Sequence, residues 1–415
     1  MLSQYFKSQS HVRLLLSRPG GQQLEGFLSY LEQRGYAKSS IVARICAASH
    51  FLLWSDREGI ALSAPGALVL ERFAMHLKQC QCHGFGHQRS IVTSHGARLF
   101  LMHQDRIGSR EAGLAALSTE LNSTGFQAYC EWMRLRRGTS DATLYNHGNA
   151  LRDVFRDIAD DVGKLDAKYL RQFVLAQSRR KGWAATKQCT TALRMLVRFH
   201  VAEGKCVAGL DAAIPGVAHW KLSSLPRYLQ ADEVERVIAS CDTTTPIGRR
   251  DRAILLLLAR LGLRAGDVWR LRIRDIAWEE ASISVAGKNR RQTSLPLTQE
   301  VGQAIIDYLE YGRPRTDADT IFVRARAPYQ PLVSQAVSIL ARKAMHRAGV
   351  DCPGGVAAHA LRHSVATSML AQGASLQDIG TVLRHQSIAT TEIYAKVDVA
   401  SLRGIAQAWP EELPC

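Results

Sequence analysis

From Gln22 to Leu53 the apolar residues fall at steps of three and four, with Leu24, Phe27, Leu28 and Leu31 the clearest group, and the run breaks at Arg34-Gly35. That spacing predicts amphipathic helices joined by a glycine turn. It returns from Thr119 to Gly204, where Phe126, Tyr129, Cys130 and Met133 form a stripe and Arg137-Gly138 interrupts it. The two stretches align loosely: Arg34-Gly35 with Arg137-Gly138, Leu62 with Leu165, Phe73 with Phe173 and Phe100 with Phe199. Two four- or five-helix modules of duplicated origin are one reading. Chance agreement between two helical sequences is the other.

A proline-bearing stretch, Ile214 to Pro226, then interrupts the pattern and is expected to be a linker. Beyond it Gln230-Ala231-Asp232-Glu233 opens a helix with acidic residues in its first turn, and Arg252 to Leu263 is a strongly apolar helix. Leu271 to Ala277, Ser282 to Ala286 and Gln292 to Leu297 alternate in character, with Glu279-Glu280 and Gly287-Lys288-Asn289 between them. They predict a three-stranded meander. From Gln299 the spacing is helical again. The expected organisation is multidomain and mainly α: an N-terminal helical domain over 1–112, a second helical domain over 113–213, a linker over 214–227, a mixed α/β domain over 228–397 and a tail helix over 398–415.

Composition narrows the partner. The 415 residues hold 53 Lys and Arg against 37 Asp and Glu, a formal net charge of +16. Such a surplus suits a polyanion, and no basic helix carries a strongly apolar opposite face of the membrane-surface kind. The longest clean apolar run, Ala253 to Ala259, has seven residues, far short of the ~20 of a membrane span. With no signal-peptide core at the N-terminus, a soluble cytoplasmic, nucleoid-associated protein is expected, with no membrane partner. The nine scattered cysteines fit reduced thiols better than a disulfide framework. Cys80, Cys82, His83 and His87 are close enough to consider zinc, but structural sites usually put two to four residues between paired cysteines. A polar helix end and loop is the expectation there, with no metal.

Six polar residues stand where neither a core nor a plain surface requires them. Arg264 follows the apolar helix in LGLRAGD, with Asp267 one turn on, and Lys288 is at a hairpin tip. His359 and Arg362 share a helix face in HALRH. His385 lies in VLRHQS, and Tyr394 follows nine residues later in TTEIYAKV. The ordered set Arg264, Lys288, His359, Arg362, His385, Tyr394 resembles the active-site signature of the tyrosine recombinase (phage integrase) family. The segments LGLRAGDVWRL, HALRHSVATSMLAQG and LRHQSIATTEIYAKV are similar to the family locally as well. Arg384 departs from it, since many members have glycine before the second histidine. The LRH-S-TT-IYAKVD form is similar to the branch carried on bacterial transposable elements.

The resemblance implies helical core-binding (SAM-like) DNA-binding sequence ahead of a catalytic domain with a small antiparallel sheet. It implies a site-specific recombinase that cuts and rejoins double-stranded DNA through a 3′-phosphotyrosyl link, as the integrase or transposase of a mobile element. Tyr394 would be the nucleophile, and Arg264 and Arg362 would neutralise the transition-state phosphate. His359 would accept the phenolic proton and Lys288 would protonate the departing 5′ oxygen. His385 would bond the phosphate or steady the phenolate, and Asp267 would orient Arg264. No cofactor is implied, and no carboxylate cluster of metal-binding type accompanies the set. The implied assembly is a homotetramer on synapsed DNA, with or without partner recombinases. Leu402, Ile405, Ala406 and Trp409 in the tail would dock on a neighbouring protomer or cover the chain's own core. Arg179, Arg180, Lys181 and Lys187 are candidate DNA contacts, with a solvated basic face as the alternative. The N-terminal module, with Lys38, Arg44, Arg72, Lys78, Arg89 and Arg98, would contact DNA or bridge subunits. Two further readings stay open: a non-catalytic DNA-binding regulator on the same fold, and relaxation of DNA by a type IB topoisomerase.

Overall fold

The computed structural model describes residues 2–60, 66–82, 90–108, 124–158, 161–217, 225–286, 292–351, 356–385, 387, 390–397 and 403. These divide into two compact units, one drawn from residues 1–108 and 222–415, the other from 109–221. None of their helices is long and apolar enough to cross a membrane.

The first unit begins with α1 (Gln9–Ser17), α2 (Gly21–Gln33), α3 (Lys38–Arg57), α4 (Gly66–Lys78) and α5 (Ser90–Gly108). Leu24, Phe27, Leu28 and Leu31, the stripe read from spacing, are fully buried against Ile45, Phe51, Phe73 and Phe100. Gly35 ends the α2 turn at φ +72°, and a Cβ there would come 2.6 Å from the Tyr329 ring. Glycine is therefore required twice over at this position, by backbone and by space.

The second unit holds α6 (Thr124–Arg137), α7 (Asp141–Ile158), α8 (Ala167–Arg180) and α9 (Trp183–Ala202). The Asp166 carboxylate caps α8 by accepting from Tyr169 N at 2.6 Å. Phe126, Tyr129, Leu151, Phe173 and Phe199 form the core. The packing scheme matches that of α2 to α5: the second helix packs on the fourth, the third on the fourth, and the first on both the second and the fourth. Gly138, like Gly35, closes its first helix with positive φ. The linker starts tied to this unit, with Ile214 buried and the Arg194 guanidinium donating to the carbonyls of Ile214 and Pro215.

The rest of the first unit runs α10 (Ala231–Ala239), α11 (Pro246–Ala259), α12 (Ala265–Val268), β1 (Ile276–Ala277), β2 (Ser282–Ala286), β3 (Gln292–Pro296), α13 (Gln299–Tyr311), α14 (Ser334–Arg347), α15 (Ala357–Ala371) and α16 (Leu376–Val382). α11 starts six residues before Arg252, where the sequence pattern places its start, because Thr245 Oγ1 accepts from Gly248 N and Pro246 fits the first turn. It ends at Ala259, ahead of Gly262 at φ +58°. Ile254 to Leu258 are all fully buried, as expected of a helix that is apolar all round. α13, α14 and α15 pack against it.

The sheet is antiparallel in the order β1-β2-β3, with Ile283 opposite both Ile276 and Leu295. Ile283 and Val285 face the core while Ser282 and Ser284 face away. β1 is much shorter than the alternation of Leu271 to Ala277 predicts. Asp275 accepts from Arg272 N at 2.9 Å and winds Ile273–Asp275 into a 3-10 turn. A local side-chain cap here defeats the strand pattern.

Candidate active site

Arg264 sits at the N-cap of α12, where a backbone turn places it rather than a helix face. Its backbone N–H donates to Asp267 Oδ2 at 3.1 Å, and its guanidinium donates to the carbonyl of Arg384 at 3.3 Å. Asp267 therefore orients Arg264 through the main chain. The same carboxylate oxygen accepts from Arg384 Nη2 at 2.6 Å, a pair with both side chains under 10% exposed. Arg384 Nε and Nη1 are buried without a hydrogen-bond partner among the described residues. The residue adopts φ +53°, a left-handed conformation that glycine takes without cost. The departure from glycine noted in the sequence falls on a strained turn and is offset there by a buried ion pair.

α15 carries His359, Arg362 and His363 into one cleft. Arg362 is 4% exposed, and its two terminal nitrogens donate to the carbonyls of Gly262 and Leu383. Those bonds fix the plane of the guanidinium between the loop that precedes α12 and the end of α16. Burial, and then the neighbouring Arg264 and Arg384, push the Arg362 pKa down to about 9.

Tyr394, on the 3-10 turn Glu392–Val397, is 1% exposed. Its hydroxyl lies 2.7 Å from Nδ1 of His363. His385 bonds Thr391 Oγ1 through Nδ1 at 2.8 Å and lays its ring parallel to that of Tyr394, with centroids 6.4 Å apart. Burial pushes the Tyr394 phenol up to about 12, against the downward pull of Arg362 and Arg264. Desolvation thus outweighs the pull of the two guanidiniums on the phenol in the free protein. Burial, with His359 and Arg362, drives the His363 imidazole down to about 4. Burial first, then Arg362 and Arg264, does the same for His385.

Arg264, His359, Arg362, His363, His385 and Tyr394 line a single cleft of about 510 Å³. Five of the six residues singled out in the sequence meet there. Lys288 lies outside the described residues, as do Leu402, Ile405, Ala406 and Trp409. The phenol's hydrogen-bond partner is His363 rather than His359. His363 stands one turn after His359 on the same face of α15, so the HALRH spacing carried that signal. Arg384 stood out only as a departure from glycine, since its partner Asp267 lies 117 residues away, and nothing in the sequence marked the bond of Thr391 to His385.

In the second unit, Arg179 and Arg180 end α8, Lys181 caps it, and Lys187 on α9 rests over the Trp183 ring at 5.0 Å. All but the half-buried Lys181 are exposed. In the N-terminal helices Arg72 pairs with Glu58 at 3.1 Å and Arg44 stacks over Tyr36. Lys38 lies over the Tyr5 ring, Lys78 and Arg98 are exposed, and Arg89 lies outside the described residues.

Residues 227–401 match the model of the phage integrase family. The chain is 35% identical over 395 residues, 93% of either chain, to a putative integrase/recombinase, y4rA, of Sinorhizobium fredii. It is 32% identical over 187 residues, 44% of this chain and 62% of the other, to the tyrosine recombinase XerD of Listeria innocua. Its fold is similar to that of the XerH site-specific recombinase bound to a palindromic difH substrate, with a TM-score of 0.56 over 82% of this chain and 95% of that one, at 17% identity. The chain belongs to the phage integrase family, the tyrosine recombinases, enzymes that cleave DNA and rejoin it in site-specific recombination.

Proposed function

We propose that this protein is the integrase or transposase of a mobile genetic element and exchanges strands through a 3′-phosphotyrosyl intermediate, with Tyr394 as the nucleophile. The observation that carries this reading is the Tyr394 hydroxyl in a cleft whose lining includes Arg264, Arg362 and three histidines. Arg264 and Arg362 neutralise charge on the non-bridging oxygens as it develops, each through N–H groups its backbone contacts leave available. A phenol with a pKa near 12 keeps its proton at neutral pH, so attack needs an acceptor. Nδ1 of the neutral His363 is in place to be that acceptor, with His359 beside it. The Tyr394 oxygen bonds phosphorus, the phosphorus–5′ oxygen bond breaks, and Lys288 supplies the proton to the leaving 5′ oxygen. The phosphotyrosyl link retains the energy of the broken bond, so rejoining to another strand's 5′ hydroxyl needs no cofactor.

The assembly proposed is a homotetramer on two synapsed duplexes, with residues 398–415 linking protomers. Arg179, Arg180, Lys181 and Lys187 are assigned to phosphate contacts of the helical unit. The test uses a nicked duplex carrying the element's own end. Wild type should trap a covalent adduct that maps to Tyr394, and Tyr394→Phe should bind equally well and trap none. An adduct formed by the Phe variant, or mapped to another residue, overturns the assignment.

A further inference from the structure

Away from the cleft, the N-terminal helices bring together four donors that the sequence separates. His50 lies on α3, His76 in the last turn of α4, and Cys80 and Cys82 just past its end. His50 Nε2 is 3.4 Å from His76 Nε2 and 3.3 Å from Cys80 Sγ, and His76 Nε2 is 3.5 Å from Cys82 Sγ. All four donor atoms lie within 4.8 Å of one another. We propose that His50, His76, Cys80 and Cys82 form a tetrahedral structural zinc site. This is independent of the recombinase chemistry.

The geometry can be checked against the ion. Zn–N bonds of about 2.05 Å and Zn–S bonds of about 2.3 Å set tetrahedral edges of roughly 3.3 Å for N···N, 3.5 Å for N···S and 3.8 Å for S···S. The three measured separations fall within about 0.2 Å of those edges. Two imidazole Nε2 atoms facing each other can share only one proton, whereas a cation at the centre takes a lone pair from each. His50 is 5% exposed, so its ring is held in place by the packing around it.

The surroundings suit thiolates as well. Cys82 N–H donates to Cys80 Sγ at 3.3 Å, and Arg57 Nη1 donates to Cys82 Sγ at 3.7 Å. These are the outer hydrogen bonds that steady bound sulfur. Two thiolates and two neutral imidazoles cancel the charge of Zn²⁺. Phe73 packs edge-on against His50, and Trp54 packs against His76, so an apolar wall closes one side. With four protein ligands the site has no open position, which marks it as structural. Its effect is to clip the end of α4 onto α3. The Cys-x-Cys step is tighter than the usual spacing because the other two ligands come from helices rather than from a second knuckle.

The full chain, purified under reducing conditions, should carry one zinc per chain by elemental analysis. After exchange it should give the visible bands of tetrahedral Co²⁺ with a thiolate-to-cobalt charge-transfer band. Cys80→Ser and Cys82→Ser should each lose the charge-transfer intensity of one sulfur and most of the zinc. His76→Cys, which keeps four ligands, should retain a full equivalent and so separates ligand loss from misfolding. Less than a tenth of an equivalent of zinc together with no cobalt bands on reconstitution would overturn the site. So would iron in its place, or zinc that survives in the Cys80→Ser/Cys82→Ser double variant.

Discussion

Nδ1 of His363 stands 2.7 Å from the hydroxyl of Tyr394, joining α15 to the turn that carries the nucleophile. The bond pairs a phenol that holds its proton up to about pH 12 with an imidazole that stays neutral down to about pH 4. Across the neutral range both groups are uncharged, and with the imidazole proton on Nε2 the phenol donates to Nδ1. His363→Ala should slow cleavage of the nicked substrate by roughly 10²- to 10⁴-fold, the usual worth of a general base, while leaving DNA binding unchanged. An undiminished single-turnover rate would remove His363 from the reaction.

The same depressed pKa values set two pH responses. Cleavage should stay level as pH falls to about 5 and drop below that as His363 takes up a proton. Stability should move in the same direction. His363 and His385 bind protons more weakly folded than unfolded, so the unfolded state gains protons first, and stability present above pH 6.5 is lost as pH falls toward 4. Urea midpoints between pH 7 and pH 4.5 check the sign; a midpoint that rises on acidification would contradict it.

Arg384 tests strain against pairing. Removing it leaves the Asp267 carboxylate buried, which should cost on the order of 3–5 kcal/mol. Arg384→Gly should be less harmful than Arg384→Ala by about 1 kcal/mol, because only glycine relieves φ +53°. Denaturation of both variants gives the difference directly, and equal losses would mean that the turn is unstrained.

Cleavage should proceed with Mg²⁺ omitted and EDTA added just before substrate, since the arginines carry the charge-neutralising role that divalent ions fill in metal-dependent nucleases. A rate that collapses and returns only with Mg²⁺ would displace this mechanism.

For the N-terminal helices, Lys78 and Arg98 are the exposed candidates for phosphate contact. Replacing both by Glu should lower the slope of log affinity against log salt by about two units if each touches a phosphate. An unchanged slope with weakened synapsis would assign these helices to bridging subunits instead.

What could be read from the chain was whatever repeats or recurs in order. Leu24, Phe27, Leu28 and Leu31 announce their helix by spacing, and Arg264, Arg362 and Tyr394 announce the cleft by motif. His363 was within reach, one turn from His359, but the same spacing would hold for a packing residue. The pairing of Arg384 with Asp267 spans 117 residues, and that of His50 with His76 spans 26. Neither has a periodicity, because each depends on how separate segments dock. β1 failed for the opposite reason: a contact three residues long, Arg272 to Asp275, outweighed an alternation that was real.

The turn at residue 384 also constrains the order in which substitutions could have accumulated. With glycine there, Asp267 would still hold the N–H of Arg264, and an incoming arginine would find its counter-charge already present. Once the arginine is installed, losing Asp267 strands a guanidinium whose Nε and Nη1 already lack partners among the described residues, whereas reverting to glycine strands a carboxylate that keeps a backbone donor and relieves the turn. Both losses are costly but they are unequal: the acid is the harder partner to lose, and drift among relatives should run along that asymmetry.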